Sequence, residues 1–211
     1  MKVTFYYVRH GQTEFNLRRI IQGSCDSPLT EKGINDARRA KEALRSIPFD
    51  KAFCSSSERA VDTADIILEC HNVKAKHMKG LKEFHYGSMD GESIDDHREE
   101  IDRRHGSFQS WKDLGGDDND SMDERIDRTL NRILAECRDR DNVLIVSHGN
   151  FCLHLMRHLF GIDMLEFRLA HKRSGKEGFA VPNGGIMKFE WEDGRYKLLS
   201  EPCEPEEFRN T

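Results

Sequence analysis

Two stretches of the chain end in the same way. Val8-Arg9-His10-Gly11 closes one apolar run, and Val146-Ser147-His148-Gly149 closes another. A third run, Ala52-Phe53-Cys54-Ser55, stops four residues before Arg59. In an open α/β sheet, ligands bind beyond the carboxyl ends of the strands. If these runs are neighbouring parallel strands, His10, His148, Arg9 and Arg59 converge on one mouth. Two guanidiniums and two imidazoles suit a dense anion, because the planar donor fork of arginine matches phosphate oxygens in bidentate fashion. Nearby helix N-termini add N–H donors and partial positive charge. Phosphate is the natural ligand, since a carboxylate could be held with fewer cations. The glycine after each histidine allows a sharp turn and the close approach of a ligand.

The elements that must position these residues follow from periodicity. Residues 3–8 (VTFYYV) are β-branched and aromatic, with only Thr4 polar, which predicts a strand covered on both faces. Thr30 caps a predicted helix to about Ile47, with Ile34, Ala37, Ala40, Leu44 and Ile47 on one stripe. "KAFCS" reads as a short strand, "SERAVDTADIILEC" as a helix and "VKAKHM" as a further strand. Ser121 and Glu124 fit a capping box, opening a helix with Met122, Ile126, Leu130, Ile133 and Cys137 inward. "NVLIVSH" is the clearest buried strand, leading through Gly149 into a helix from about Asn150 to Phe160 that Gly161 stops. "GGIMKFEWEDGRYKLLS" reads as a hairpin turned at Asp193-Gly194. Strands alternating with helices predict a three-layer α/β/α sandwich on a mostly parallel sheet with at least one antiparallel strand. Residues 91–120 have weak periodicity and are expected to form a small inserted lid within one domain spanning 1–211.

Charge and composition narrow the functional classes. The 33 Lys and Arg against 38 Asp and Glu give −5, which leaves no broad basic footprint for nucleic acid. Glu92 to Arg128 holds 13 acidic and 6 basic residues, net −7, more than the whole excess. No stretch approaches the roughly 20 apolar residues that span a bilayer. The opening apolar run is too short for a secretory signal. Six scattered cysteines without a CxxC pair suggest a reducing, cytoplasmic setting. His154 and His158 have metal-compatible i, i+4 spacing, but with no third ligand they are expected on ordinary helix surface. A loop starting at Asp117 fails as a calcium site, because Met122 and Arg128 stand where Gly and Glu are required. No metal and no cofactor is expected.

Taken together, the motifs resemble those of the histidine phosphatases, the superfamily that includes cofactor-dependent phosphoglycerate mutase. "RHGQTEFN", "QGSCDSPLTEKGINDA", "CSSSERAVDTA", "LKEFHYGSMDG" and "VSHGN" match its motifs in order, over roughly residues 3–91 and 143–151. The resemblance implies that His10 is the nucleophile and carries a phosphoryl group on nitrogen. Arg9, Arg59 and His148 would hold the phosphoryl oxygens. Glu83 would protonate the leaving oxygen and then serve as base toward water. Asn16, Gln22 and Gly23 match positions lining the phosphate and substrate cleft, which Gly149 and Asn150 border. Arginines supply the positive charge, so the implied chemistry is metal-independent.

Family mutases grip a second anionic group with basic residues of a longer insertion. Here the insertion is short and acidic, which weakens the electrostatic case for a highly anionic substrate. The expected function is therefore hydrolysis of a phosphomonoester of a small phosphorylated metabolite. The alternatives are a phosphoglycerate mutase and, in another class, a non-catalytic phospho-ligand binding module. Neither a nucleic-acid nor a membrane partner is expected, and oligomeric state is not encoded in any motif.

Overall fold

The computed structural model describes residues 1–107, 110–175 and 178–209. Six strands form one sheet in the order β3-β2-β4-β1-β5-β6. They are β1 (Lys2–Arg9), β2 (Lys51–Ser55), β3 (Ala75–Met78), β4 (Asn142–Ser147), β5 (Ile186–Glu192) and β6 (Arg195–Cys203). The β1–β4, β2–β4 and β2–β3 pairs are parallel, while β1–β5 and β5–β6 are antiparallel. The mostly parallel sheet with an antiparallel edge is thus as expected. Asp193 and Gly194, both at positive φ, turn the final hairpin.

Alternate residues of the central strands feed two apolar clusters on opposite faces, as a fully covered strand requires. Phe5, Tyr7, Val143 and Ile145 join one cluster with Met122, Ile126, Leu130, Phe151 and Leu155. Tyr6, Val8, Leu144 and Val146 join the other with Ala40, Leu44, Ala60, Ala64 and Ile67. The helices are α1 (Glu14–Leu17), α2 (Glu31–Leu44), α3 (Glu58–Leu68), α4 (Arg98–Ser107), α5 (Asn119–Leu134), α6 (Gly149–Phe160), α7 (Met164–Arg173) and α8 (Pro205–Phe208). α2 and α3 cover one face, and α5 and α6 cover the other.

Several boundaries differ from expectation for identifiable reasons. Thr30 does cap α2 through Gly33 N–H, but the helix ends at Leu44, and Gly33 and Asp36 rather than Ile34 lie on its buried side. The N-cap of α5 is Asp118, not Ser121; Ser121 is the reciprocal member of that capping box. Cys137 therefore falls beyond the helix end, half-buried. Among its described residues the segment 91–120 contributes no strand, but it is less irregular than its sequence suggests. It holds α4 and a 3-10 turn at Lys112–Leu114, and its start is zippered to residues 19–21 by backbone hydrogen bonds such as Ile94 N–H to Arg19 O, 2.8 Å.

Register sets where the reactive residues emerge. Arg9 pairs with Ser147, and Cys54 pairs with Val146. The chain after β1, β2 and β4 therefore leaves the sheet on one edge. His10 N–H continues the ladder to Ser147 O at 3.0 Å. Gly11 then passes so close to α2 that a Cβ on it would lie 2.1 Å from the Gly33 carbonyl oxygen. Only glycine permits that approach, which holds the strand end against the helix.

Candidate active site

The five residues expected to carry chemistry meet beyond this edge. Arg9, His10, Arg59, Glu83 and His148 are each at most 7% exposed. The His10 and His148 rings lie 5.2 Å apart between centroids, inclined at 65°. The Nδ1 of His10 sits 2.8 Å from Gly11 O. A carbonyl accepts only, so Nδ1 carries the proton and Nε2 presents a lone pair. Arg59 Nε lies 3.3 Å from that Nε2. Burial, then the Arg59 and Arg9 charges, hold the His10 imidazole well below its ordinary pKa, so the ring is neutral.

The cationic frame is anchored from several elements. Arg59, in the first turn of α3, donates to Asp26 Oδ1 at 2.8 Å, Cys25 O at 3.0 Å and Gly23 O at 3.2 Å. Arg9 donates to Val181 O at 2.6 Å and lies under the Phe179 ring, 4.3 Å from its centroid. Its Nε is buried without a partner among the described residues. Burial pulls the Arg9 guanidinium down to about 10, which still leaves it charged at neutral pH. Gly149 opens α6 where a Cβ would stand 3.1 Å from Arg9 Nε. A side chain at this position of the second histidine motif would crowd the guanidinium.

His148 is the N-cap of α6, and its backbone is fixed by Tyr7. The Tyr7 hydroxyl donates to His148 O at 2.6 Å and accepts from His148 N–H at 3.0 Å. The His148 Nε2 faces Ser55 Oγ at 2.8 Å. Ser57 N–H donates to that same Oγ at 3.2 Å, and of the two acceptors in reach of the Ser55 hydroxyl, His148 Nε2 at 2.8 Å is nearer than Ser57 Oγ at 3.4 Å, which favours donation to Nε2. A neutral His148 then carries its own proton on Nδ1, which is buried with no partner among the described residues. Burial, Arg59, His10 and Arg9 hold this ring well below its ordinary pKa too. Two neutral rings and two guanidiniums leave unspent donors around one small volume, as an oxyanion requires.

Glu83 reaches the site from the segment after β3. Its Oε1 accepts from Phe84 N–H at 2.8 Å and Phe151 N–H at 2.7 Å, and Oε2 accepts from Asn150 N–H at 3.0 Å. It therefore caps α6 beside the second histidine. One of its roughly four lone-pair positions, on Oε2, stays open for a proton. Arg125 of α5 fixes its backbone by donating to Glu83 O at 3.2 Å and to Asp117 Oδ2 at 3.0 Å.

These groups open into a cavity of about 460 Å³. Of the expected site residues, Arg9, His10, Asn16, Gln22, Glu83, Gly149 and Asn150 line it. Arg59 and His148 lie beneath its floor, fully buried. Gly23 is not on the wall; its carbonyl orients Arg59, and its N–H is held at 3.1 Å by Asp90 Oδ1. Asn16 Oδ1 accepts from Asn183 Nδ2 at 3.2 Å, while Gln22 Oε1 accepts from the Thr13 hydroxyl at 2.7 Å.

Two expectations fail here. The −7 charge of residues 92–128 does not face the cavity, because among that segment's described residues it is Ile94, Ile101 and Trp111 that line it. Several of its carboxylates are held in ion pairs: Asp113 with Arg104 at 2.6 Å, Asp95 with Arg19 at 2.9 Å and Asp118 with Lys112 at 2.6 Å. The second concerns His154, which is buried and stacked on Phe84 at 5.0 Å rather than on helix surface. Tyr7, Asp26, Ser55 and Arg168 were not legible as site residues. Tyr7 hides in an apolar strand, and the others gain their roles only through contacts across the fold.

A model of the histidine phosphatase superfamily (branch 1) matches residues 5–201. The adenosylcobalamin/alpha-ribazole phosphatase of Salmonella typhimurium is 33% identical over 150 residues, covering 68% of this chain and 72% of that protein. The 2,3-bisphosphoglycerate-dependent phosphoglycerate mutase of Cytophaga hutchinsonii is 34% identical over 163 residues, covering 72% and 75%. Among solved structures, the phosphoglycerate mutase of Bacillus anthracis superposes with a TM-score of 0.79 at 27% identity, covering 99% of this chain and 96% of that one.

Removing the Ser55 hydroxyl should free His148 Nε2 to take the ring proton. Ser55→Ala is expected to weaken inorganic phosphate binding by about tenfold, the loss of one charge-assisted hydrogen bond, and Ser55→Thr should restore it. Nitrogen NMR of the His148 ring checks the tautomer directly.

Acid stability follows from the two neutral rings. Their folded pKa values lie below the unfolded one, so the unfolded chain binds more protons as pH falls through about 6.5, and stability falls with it. Each ring contributes a slope of about 1.4 kcal/mol per pH unit. His148→Gln should flatten the curve by about that amount between about pH 5 and 6, read by urea unfolding.

Proposed function

Because the chain belongs to the histidine phosphatase superfamily, we propose that it hydrolyses phosphomonoesters of a small phosphorylated metabolite through a phosphohistidine intermediate at His10. The observation that carries this reading is the state of the His10 ring, a neutral imidazole with Nδ1 tied to Gly11 O and its Nε2 lone pair set among Arg9, Arg59 and His148. Covalent catalysis splits the transfer into two easier halves. In the first, the Nε2 lone pair forms a bond to phosphorus as the ester P–O bond breaks. The leaving oxygen takes its proton from Glu83. In the second, water attacks phosphorus, its proton passes to the Glu83 carboxylate, and the N–P electron pair returns to Nε2. Arg9 and Arg59 supply the charge that stabilises the equatorial oxygens, and His148 Nδ1–H adds a donor. Glu83 suits both halves, since it lines the same cavity as His10 and is fixed by α6.

A phosphoglycerate mutase shares the first half, and the Cytophaga hutchinsonii relative favours that second reading. Hydrolysis is preferred because the cavity falls within the roughly 300–1,000 Å³ typical of organic ligands, larger than a three-carbon acid demands. Its lid wall of Ile94, Ile101 and Trp111 is apolar, which suits an ester with an apolar body better than a small phosphoacid. We take residues 1–211 as one domain with 91–120 as its lid. The six free cysteines support a cytoplasmic setting, and among the described residues no helix is long and apolar enough to cross a membrane.

Phosphate release from simple aryl monoesters, assayed beside isomerisation of 3-phosphoglycerate, separates the readings. Release should dominate, and His10→Ala should lower it by several orders of magnitude. Fast isomerisation without release would favour the mutase. Unchanged release in His10→Ala would remove the nucleophile from the account.

A further inference from the structure

The helix α7 plays no part in the chemistry above, yet it supplies one wall of the cavity. Arg168, His171 and Lys172 all line it. Their spacing of i, i+3 and i+4 places them on one helical face. Arg173, one residue on, pairs instead with Glu166 on the same helix.

Charge on the cavity wall is unbalanced. Among the described residues its cations are Arg9, Arg19, Arg168 and Lys172, against the carboxylate of Glu83. Arg9 belongs to the transferring phosphoryl group, and Arg19 is matched by a two-pronged pair with Asp95 at 2.9 and 3.1 Å. Glu83 accepts from three backbone N–H groups and keeps its open position for the proton it transfers. Arg168 and Lys172 remain, with no carboxylate within ion-pair distance among the described residues. Arg168 is half-buried, and its guanidinium donates at 2.6 Å to a neutral acceptor, Asn150 Oδ1. Burial lowers its pKa against the opposing pull of Tyr86 and the Glu83 charge, as for a cation withdrawn from water with no carboxylate paired directly to it. Withdrawing unpaired charge is unfavourable, and it is offset where a ligand brings the opposite charge. Lys172 is exposed, at the mouth. The same cavity is lined by the apolar lid residues Ile94, Ile101 and Trp111.

We infer that Arg168 and Lys172 form a second anionic subsite, so that the preferred substrates are phosphomonoesters with an apolar body and a second anionic group, a carboxylate or another phosphate. The inference rests on the hydrolase reading and names the substrate class of that site. The cations absent from the lid are thus supplied by α7. Guanidinium and ammonium divide the work: Arg168 sets the orientation of the distal anion through its fork, and Lys172 draws it in as a mobile charge. Arg168 also orients Asn150 at the head of α6, so a bound anion would be felt beside the second histidine.

The test compares phenyl phosphate with 4-carboxyphenyl phosphate on the full chain. The wild-type kcat/KM should be at least tenfold higher for the carboxylated ester, mostly through KM, and the advantage should shrink as salt is raised. Arg168→Gln and Lys172→Ala should each cut that ratio severalfold, with Arg168→Lys retaining part of it. Equal kcat/KM for the two esters in the wild type, or a ratio unchanged in both variants, would overturn the subsite while leaving hydrolysis intact. Failure to release phosphate from either ester would instead overturn the hydrolase reading, and the subsite with it.

Discussion

The structure turns on keeping an uncharged imidazole beside two guanidiniums at the buried end of a cavity. Each condition depends on the others. In water, His10 would be partly protonated near neutral pH and Arg59 would be solvated. Buried together, the two arginines make protonation of His10 unfavourable and hold their own charge ready for an anion. Such an arrangement is costly unless every remaining polar group is tied down. Arg59 is held by Asp26 and two carbonyls, Arg9 by Val181 O, and His10 by Gly11 O. Among the described residues, the buried donors left over on these side chains are Arg9 Nε and His148 Nδ1.

The fold serves that cluster by register. β1, β2 and β4 are parallel and adjacent, so the three segments that follow them leave one edge of the sheet. Their connections carry the remaining parts. The segment after β3 delivers Glu83 to the head of α6, and Ser147 Oγ ties that segment down through Leu81 O at 2.7 Å. Asp26 joins two elements at once, since it pairs with Arg59 and also accepts from Glu58 N–H at 2.6 Å at the start of α3. Side chains distant in sequence thus share anchors, which is how a loop-built site gains rigidity.

Much of this was legible before any coordinates. β1, β4 and α6 carry continuous apolar runs or stripes, and both histidine motifs sit where those strands stop. α4 and α7 were not legible because they have no stripe: Ile101 is the buried apolar residue of α4, and Met164 is that of α7. α4 is supported by ion pairs along its own length, Glu100 with Arg104 at 2.5 Å among them. Charge was misread for a related reason. A count of acids along residues 92–128 says nothing of the direction in which each points, and the pairs with Arg19, Arg104 and Lys112 turn them away from the cavity. Tyr7 has no motif of its own and Ser55 lies in a motif that points to Arg59, and their effect on His148 exists only because β1, β2 and β4 are neighbours.

The most direct test is to trap the covalent state. The chain would be mixed with a phosphorus-labelled aryl monoester, quenched in alkali within milliseconds, digested and mapped. A phosphoryl group that is stable in alkali, labile in acid and confined to Nε2 of His10 is the predicted result. Label on His148 or another residue, or phosphate release with no labelled chain at any time, would contradict the account.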